Sequence, residues 1–151
     1  MKLSSIKDLN ILSKKIQKII NIEAILFLYG EIGVGKTTFA RHLINNFESK
    51  YRIVKSEVLS PTFNIMFEYK IKNFIILHYD FYRLKKRVEI ENLGLFENIK
   101  KNIILIEWPE LIGNKPTNRI ELFFKYSNNM NKRIVNIEGY GKWKDYDFKK
   151  L

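Results

Sequence analysis

The run Gly30-Glu31-Ile32-Gly33-Val34-Gly35-Lys36-Thr37 matches G-x-x-x-x-G-K-[ST] in full. Its flanks constrain the fold as much as the run itself. Ala24 to Tyr29 is an uninterrupted apolar stretch that reads as a buried strand, and Thr38 to Phe47 reads as a helix. A strand, a glycine loop and a helix in that order form a phosphate-binding unit. The expected ligand class is therefore a nucleoside triphosphate with magnesium.

A chain of 151 residues reads as one domain, residues 1–151. Its apolar fraction of 46% and charged fraction of 28% suit a soluble globular protein. The absence of cysteine excludes disulfides, thiol chemistry and cysteine-based zinc sites, and His42 and His78 alone make no metal cluster. No segment approaches the ~18 apolar residues of a membrane helix, and Met1 to Asn10 lacks a signal-peptide core, so the expectation is a cytoplasmic protein. The net charge of +11 has two readings: a basic face for nucleic acid, or a general richness in Lys, Ile and Asn. The scatter of the lysines favours the second.

Ile6, Leu9, Leu12, Ile16, Ile19 and Ile20 recur at helical spacing, with Ser4 or Ser5 as N-cap. Glu48 to Ser56 reads as a connection. Phe63–Ile71 and Phe74–Asp80 read as a hairpin turning at Lys72-Asn73. Arg87 to Lys100 reads as a helix punctuated at Gly94. Asn102 to Trp108 is a buried strand ended by Pro109, and Asn118–Tyr126 and Arg133–Gly139 are two more strands joined by an Asn-rich turn. Trp143 to Leu151 reads as frayed. Strands alternating with helices around a glycine loop imply an α/β fold, with parallel strands at its centre and antiparallel strands added by the hairpins.

The loop meets triphosphate charge in several ways. Gly30, Gly33 and Gly35 let backbone N–H groups approach phosphate, and the helix that follows directs its positive end there. Lys36 supplies a point charge to the β- and γ-phosphates, the Thr37 hydroxyl is a magnesium ligand, and Thr38 reaches the α-phosphate. A second magnesium ligand, direct or through water, is Glu107, which emerges from Ile103-Ile104-Leu105-Ile106 at the carboxyl end of a buried strand. Asp80 ends another apolar run, where a carboxylate can orient or deprotonate attacking water or steady the metal shell, and Arg83 can balance phosphoryl charge; the alternative is a structural ion pair. His78 reads as a structural histidine more readily than as a base. Ser60-Pro61-Thr62 is either a switch-like loop or an ordinary turn, and Trp108 either packs the site or faces a partner.

The ordered set Leu28-Tyr29-Gly30-Glu31-Ile32-Gly33-Val34-Gly35-Lys36-Thr37-Thr38-Phe39, Ser60-Pro61-Thr62-Phe63, His78-Tyr79-Asp80-Phe81-Tyr82-Arg83-Leu84, Leu93-Gly94-Leu95 and Leu105-Ile106-Glu107-Trp108-Pro109-Glu110 resembles the bacterial TsaE family as far as about Phe124. The resemblance implies a P-loop NTPase-like three-layer sandwich with a mixed, mostly parallel central sheet. It also implies an ATPase that docks on TsaD- and TsaB-type threonylcarbamoyl transferase subunits. That pair modifies adenosine 37 of tRNAs reading codons that begin with A, so tRNA is met through the complex. By position, the resemblance implies that Gly30, Glu31 and Gly33 to Thr38 bind ATP. It further makes Thr37 and Glu107 the Mg2+ ligands, and Lys36 and Asp80 the residues that serve hydrolysis.

Two other classes fit the glycine loop. A small-molecule kinase needs an arginine-rich lid, and no compact one is visible. A nucleotide-stabilised tRNA-binding module draws on the +11 charge.

Overall fold

The computed structural model describes residues 1–3, 5–97, 99–127 and 132–151. Seven strands form one sheet in the order β1-β7-β6-β2-β5-β4-β3. They are β1 (Lys2–Leu3), β2 (Ile25–Tyr29), β3 (Met66–Ile71), β4 (Phe74–Asp80), β5 (Asn102–Glu107), β6 (Arg119–Tyr126) and β7 (Arg133–Tyr140). The four central strands, β6, β2, β5 and β4, run parallel, and the pairs at either side (β1 with β7, β7 with β6, β3 with β4) are antiparallel. The mixed sheet with a parallel centre is thus as the glycine-loop context and the two hairpins predict.

The apolar runs of β2 and β5 are unbroken because both faces of these strands are covered. Alternation divides them. Leu26 and Leu28 of β2, with Ile103 and Leu105 of β5, join the cluster under α1 (Ile6–Ile19) and α2 (Lys36–Lys50). Ile25, Phe27, Ile104 and Ile106 join a smaller cluster on the opposite face. There the cover is thin: α3 (Arg87–Glu91) supplies Ile90, and the turns beyond it supply Leu95 and Ile112.

Helix α1 begins with a capping box. Asp8 N–H donates to Ser5 Oγ (3.2 Å) and Ser5 N–H donates to Asp8 Oδ2 (3.0 Å). Leu9, Leu12 and Ile16 are its buried stripe, each stabilising by roughly 1.5–3 kcal/mol through burial, whereas Ile6 in the first turn is 63% exposed. Ser4 lies outside the described residues, as does most of the Asn-rich turn between β6 and β7.

Several expected elements differ. The helix after the loop starts at Lys36 and runs to Lys50, because the lysine and both threonines already lie on its first turn. Strand β3 starts at Met66, three residues late, since Ile65 takes a left-handed backbone (φ 66°) that interrupts an extended chain. The helix expected over 87–100 ends at Glu91; Gly94 at φ 57° turns the chain out of helical geometry. The C-terminal segment is ordered rather than frayed. It forms two short 3₁₀ turns, Gly141–Trp143 and Phe148–Lys150, and Trp143, Phe148 and Leu151 pack on the main core. Lys15 Nζ also donates to the Leu151 carbonyl. The pair of residues in β1 gave no strand signal, since two residues carry no period. Among the described residues no helix is long and apolar enough to cross a membrane.

Candidate functional site

Three polar residues reach one place because of strand parity. In β4, Phe74 and Ile76 face the α1–α2 layer, so His78 and Asp80 face it too. In β5, Ile103 and Leu105 face the same layer, so Glu107 does also. The strands are parallel and paired with His78 opposite Leu105 and Asp80 opposite Glu107. All three side chains therefore gather at the carboxyl ends of neighbouring strands, beside the first turn of α2.

The glycine loop supplies the other wall. Gly30, Gly33 and Gly35 have φ of 136°, 74° and 115°, and Gly35 caps α2 from a left-handed conformation. Lys36 is 4% exposed, and its Nζ donates to the carbonyls of Gly30 (2.6 Å) and Glu31 (2.9 Å). Burial lowers its pKa, opposed by the negative charges of Glu107, Asp80 and Glu110. The ammonium also lies 3.8 Å from the centre of the Trp108 ring. Thr37 Oγ1 donates to Glu107 Oε2 at 2.9 Å. Gly33, Gly35, Lys36, Thr37, Glu107 and Trp108 line a cleft of about 270 Å³ with Asp80, Ser60, Thr62 and Tyr82. A larger hollow of about 620 Å³ against β3 and β4 contains none of the expected site residues.

Asp80 is held tightly. Its Oδ2 accepts from Ser60 Oγ (2.9 Å) and Thr62 Oγ1 (2.7 Å), and its Oδ1 accepts from Tyr82 N–H (2.9 Å). Ser60-Pro61-Thr62 is thereby tied to the cleft. The alternative ion pair of Asp80 with Arg83 does not form among the described residues; Arg83 is exposed and sits 5.1 Å from the Phe63 ring centre. Trp108 packs the site: its ring meets Lys36 and, at 5.0 Å, Tyr82. Its backbone is left-handed (φ 58°), a conformation costing a bulky residue about 1–3 kcal/mol, and it turns the chain from β5 across the cleft.

Sequence reading overlooks two residues behind the loop. Arg133 Nε donates to the Val34 carbonyl (2.8 Å), and the Tyr126 hydroxyl meets the Ile32 carbonyl at 3.5 Å. They lie near the loop only because β6 and β7 do. Tyr126 was discoverable in principle, since it ends a parallel strand at the ligand-binding edge of the sheet. Glu31 contributes its carbonyl to Lys36, and Thr38 lines the cleft from the first turn of α2. Among the described residues no three His, Cys, Asp or Glu side chains cluster as a metal site.

This geometry has relatives. A crystal structure of YdiB from Bacillus subtilis superposes with a TM-score of 0.73 over 94% of this chain and 85% of that one, at 23% identity, and so shares the fold. The "tRNA threonylcarbamoyladenosine biosynthesis protein TsaE" of Rickettsia typhi is 44% identical over 115 residues, 76% of each chain. The protein of that description from Rickettsia conorii is 39% identical over 136 residues, 89% of this chain and 75% of its own. The family model described as "Threonylcarbamoyl adenosine biosynthesis protein TsaE" matches residues 3–135, and with these likenesses it establishes that the chain belongs to the TsaE family.

Proposed function

We propose that this protein is a cytoplasmic, magnesium-dependent ATPase that supports threonylcarbamoylation of tRNA adenosine 37 by acting with TsaD- and TsaB-type transferase subunits. The observation that carries the reading is the Thr37–Glu107 contact at the end of the glycine loop, with Lys36 beside it. A hydroxyl and a carboxylate are hard oxygen donors of the kind Mg2+ takes, and three glycines at positive φ give the loop the bend that lets backbone N–H groups approach phosphate. The donor set therefore fits the ion and the nucleotide. Thr37 and Glu107 hold Mg2+, which when bound neutralises phosphate charge.

The chain's own residues do the rest. Gly30, Glu31 and Gly33 to Thr38 bind the phosphates through backbone N–H groups and the Lys36 ammonium. Lys36 then exchanges the Gly30 and Glu31 carbonyls for phosphate oxygens. Asp80 keeps one lone pair of Oδ1 beyond its three hydrogen bonds, enough to orient a water. Arg83 stands outside the cleft and, among the described residues, no arginine lines it, so a partner that closes the cleft is expected to raise the rate.

The test is ATP hydrolysis by the purified protein, alone and with the matching transferase pair, with and without tRNA. Strong stimulation by the pair is expected. Absence of stimulation, or γ-phosphate transfer to a nucleoside or sugar faster than hydrolysis, removes the reading. Asp80→Ala is expected to retain nucleotide and lose turnover; an equal loss of binding makes Asp80 purely structural.

A further inference from the structure

His78 is fully buried and Glu107 is 2% exposed, and His78 Nε2 lies 2.8 Å from Glu107 Oε1. The two oxygens of Glu107 are thus divided, Oε1 to His78 and Oε2 to Thr37. A carboxylate offers only acceptors, so the shared proton sits on Nε2. His78 Nδ1 is buried without a hydrogen-bond partner among the described residues, so Nε2 is the ring nitrogen that is engaged. The imidazole holds Oε1 and leaves Oε2 facing Thr37.

We propose that His78 is a positioning residue that locks the Glu107 carboxylate with Oε2 turned to Thr37, so that the hydroxyl and the carboxylate take up a divalent cation together. This rests on the reading that Thr37 and Glu107 hold Mg2+. The cause lies in the sheet. His78 and Glu107 point to the same face from adjacent parallel strands, and His78 pairs in register with Leu105, two residues before Glu107, so the imidazole reaches forward to the carboxylate. Without that donor Oε1 becomes a buried charged oxygen lacking a partner, and the side chain is free to rotate away from Thr37. Outer-shell partners of this kind typically change metal affinity or activity by about 10–100-fold.

The test is calorimetric binding of a non-hydrolysable ATP analogue with and without Mg2+. The readout is the gain in affinity that the metal confers, which needs no turnover. In His78→Phe this gain is expected to fall about 10-fold or more while metal-free affinity holds. His78→Gln, whose amide N–H reaches towards the place of Nε2, is expected to recover most of it. An unchanged gain in His78→Phe, or equal losses in both variants, overturns the proposal. Should His78→Phe not fold, nitrogen NMR of the wild-type imidazole decides: a proton on Nε2 is expected, and a bare Nε2 overturns the proposal. A wild-type protein that gains nothing from Mg2+ overturns instead the magnesium reading beneath it.

Discussion

Lys36→Ala is expected to bind ATP roughly 100-fold more weakly than the wild type, while melting at nearly the same temperature. Among the described residues the ammonium is the one buried cation in the cleft, 4% exposed. It is positioned before any ligand arrives, by the carbonyls of Gly30 and Glu31 and by the face of Trp108. Each hydrogen bond from such a cation to a phosphate oxygen stabilises by about 1.5–3 kcal/mol, and 1.4 kcal/mol is tenfold in affinity. Losing two bonds near the lower value accounts for the estimate. Stability responds less because two effects oppose: the alanine leaves two carbonyls without their donor, and it also removes a charge that burial disfavours. Calorimetric titration with ATP, alongside a thermal melt, checks both halves. Wild-type affinity in the alanine protein sinks the assignment of the loop to phosphate.

Gly30→Ala is expected to destabilise the fold by about 3 kcal/mol or more, lowering the melting temperature by roughly 6–12 °C. Gly30 has φ 136°, and a Cβ there would stand 2.4 Å from the Phe124 carbonyl oxygen and 3.1 Å from Val34 Cγ1. The first of these neighbours is backbone of β6, which cannot yield without disturbing the central sheet. Gly33→Ala is the control. Its φ is 74°, and its nearest neighbour is the Tyr126 hydroxyl at 3.2 Å, the far end of a movable side chain. Only the left-handed backbone then counts, about 1–2 kcal/mol. Equal melting temperatures for the two variants would show that the contact with β6 is not what requires glycine at position 30.

Much of the site was legible because local pattern and chemistry coincide there. The glycine loop combines a backbone requirement with a charge requirement within eight residues, and its flanks carry their own strand and helix patterns. Glu107 and Asp80 were visible as carboxylates closing apolar runs, which is where parallel strands present their ends. The less legible parts have weak local signals. Helix periodicity over 87–100 was misleading, because Ile90 and Leu95 are buried through a turn rather than along one helix face. The C-terminal segment read as frayed because its aromatic residues have no period, yet Trp143 and Phe148 find apolar surface on the main core.

The sequence by itself determined the loop, the buried parallel strands and the identity of the charged residues at their ends, since each follows from short-range backbone and burial rules. Tertiary structure alone decided how those residues bond. That Asp80 holds Ser60 and Thr62 rather than Arg83, that His78 turns to Glu107, and that Arg133 reaches the Val34 carbonyl 99 positions away all depend on strand order and register. The physical reason is that hydrogen bonds need partners placed to within fractions of an ångström, and only the packed sheet fixes positions that finely across distant parts of the chain.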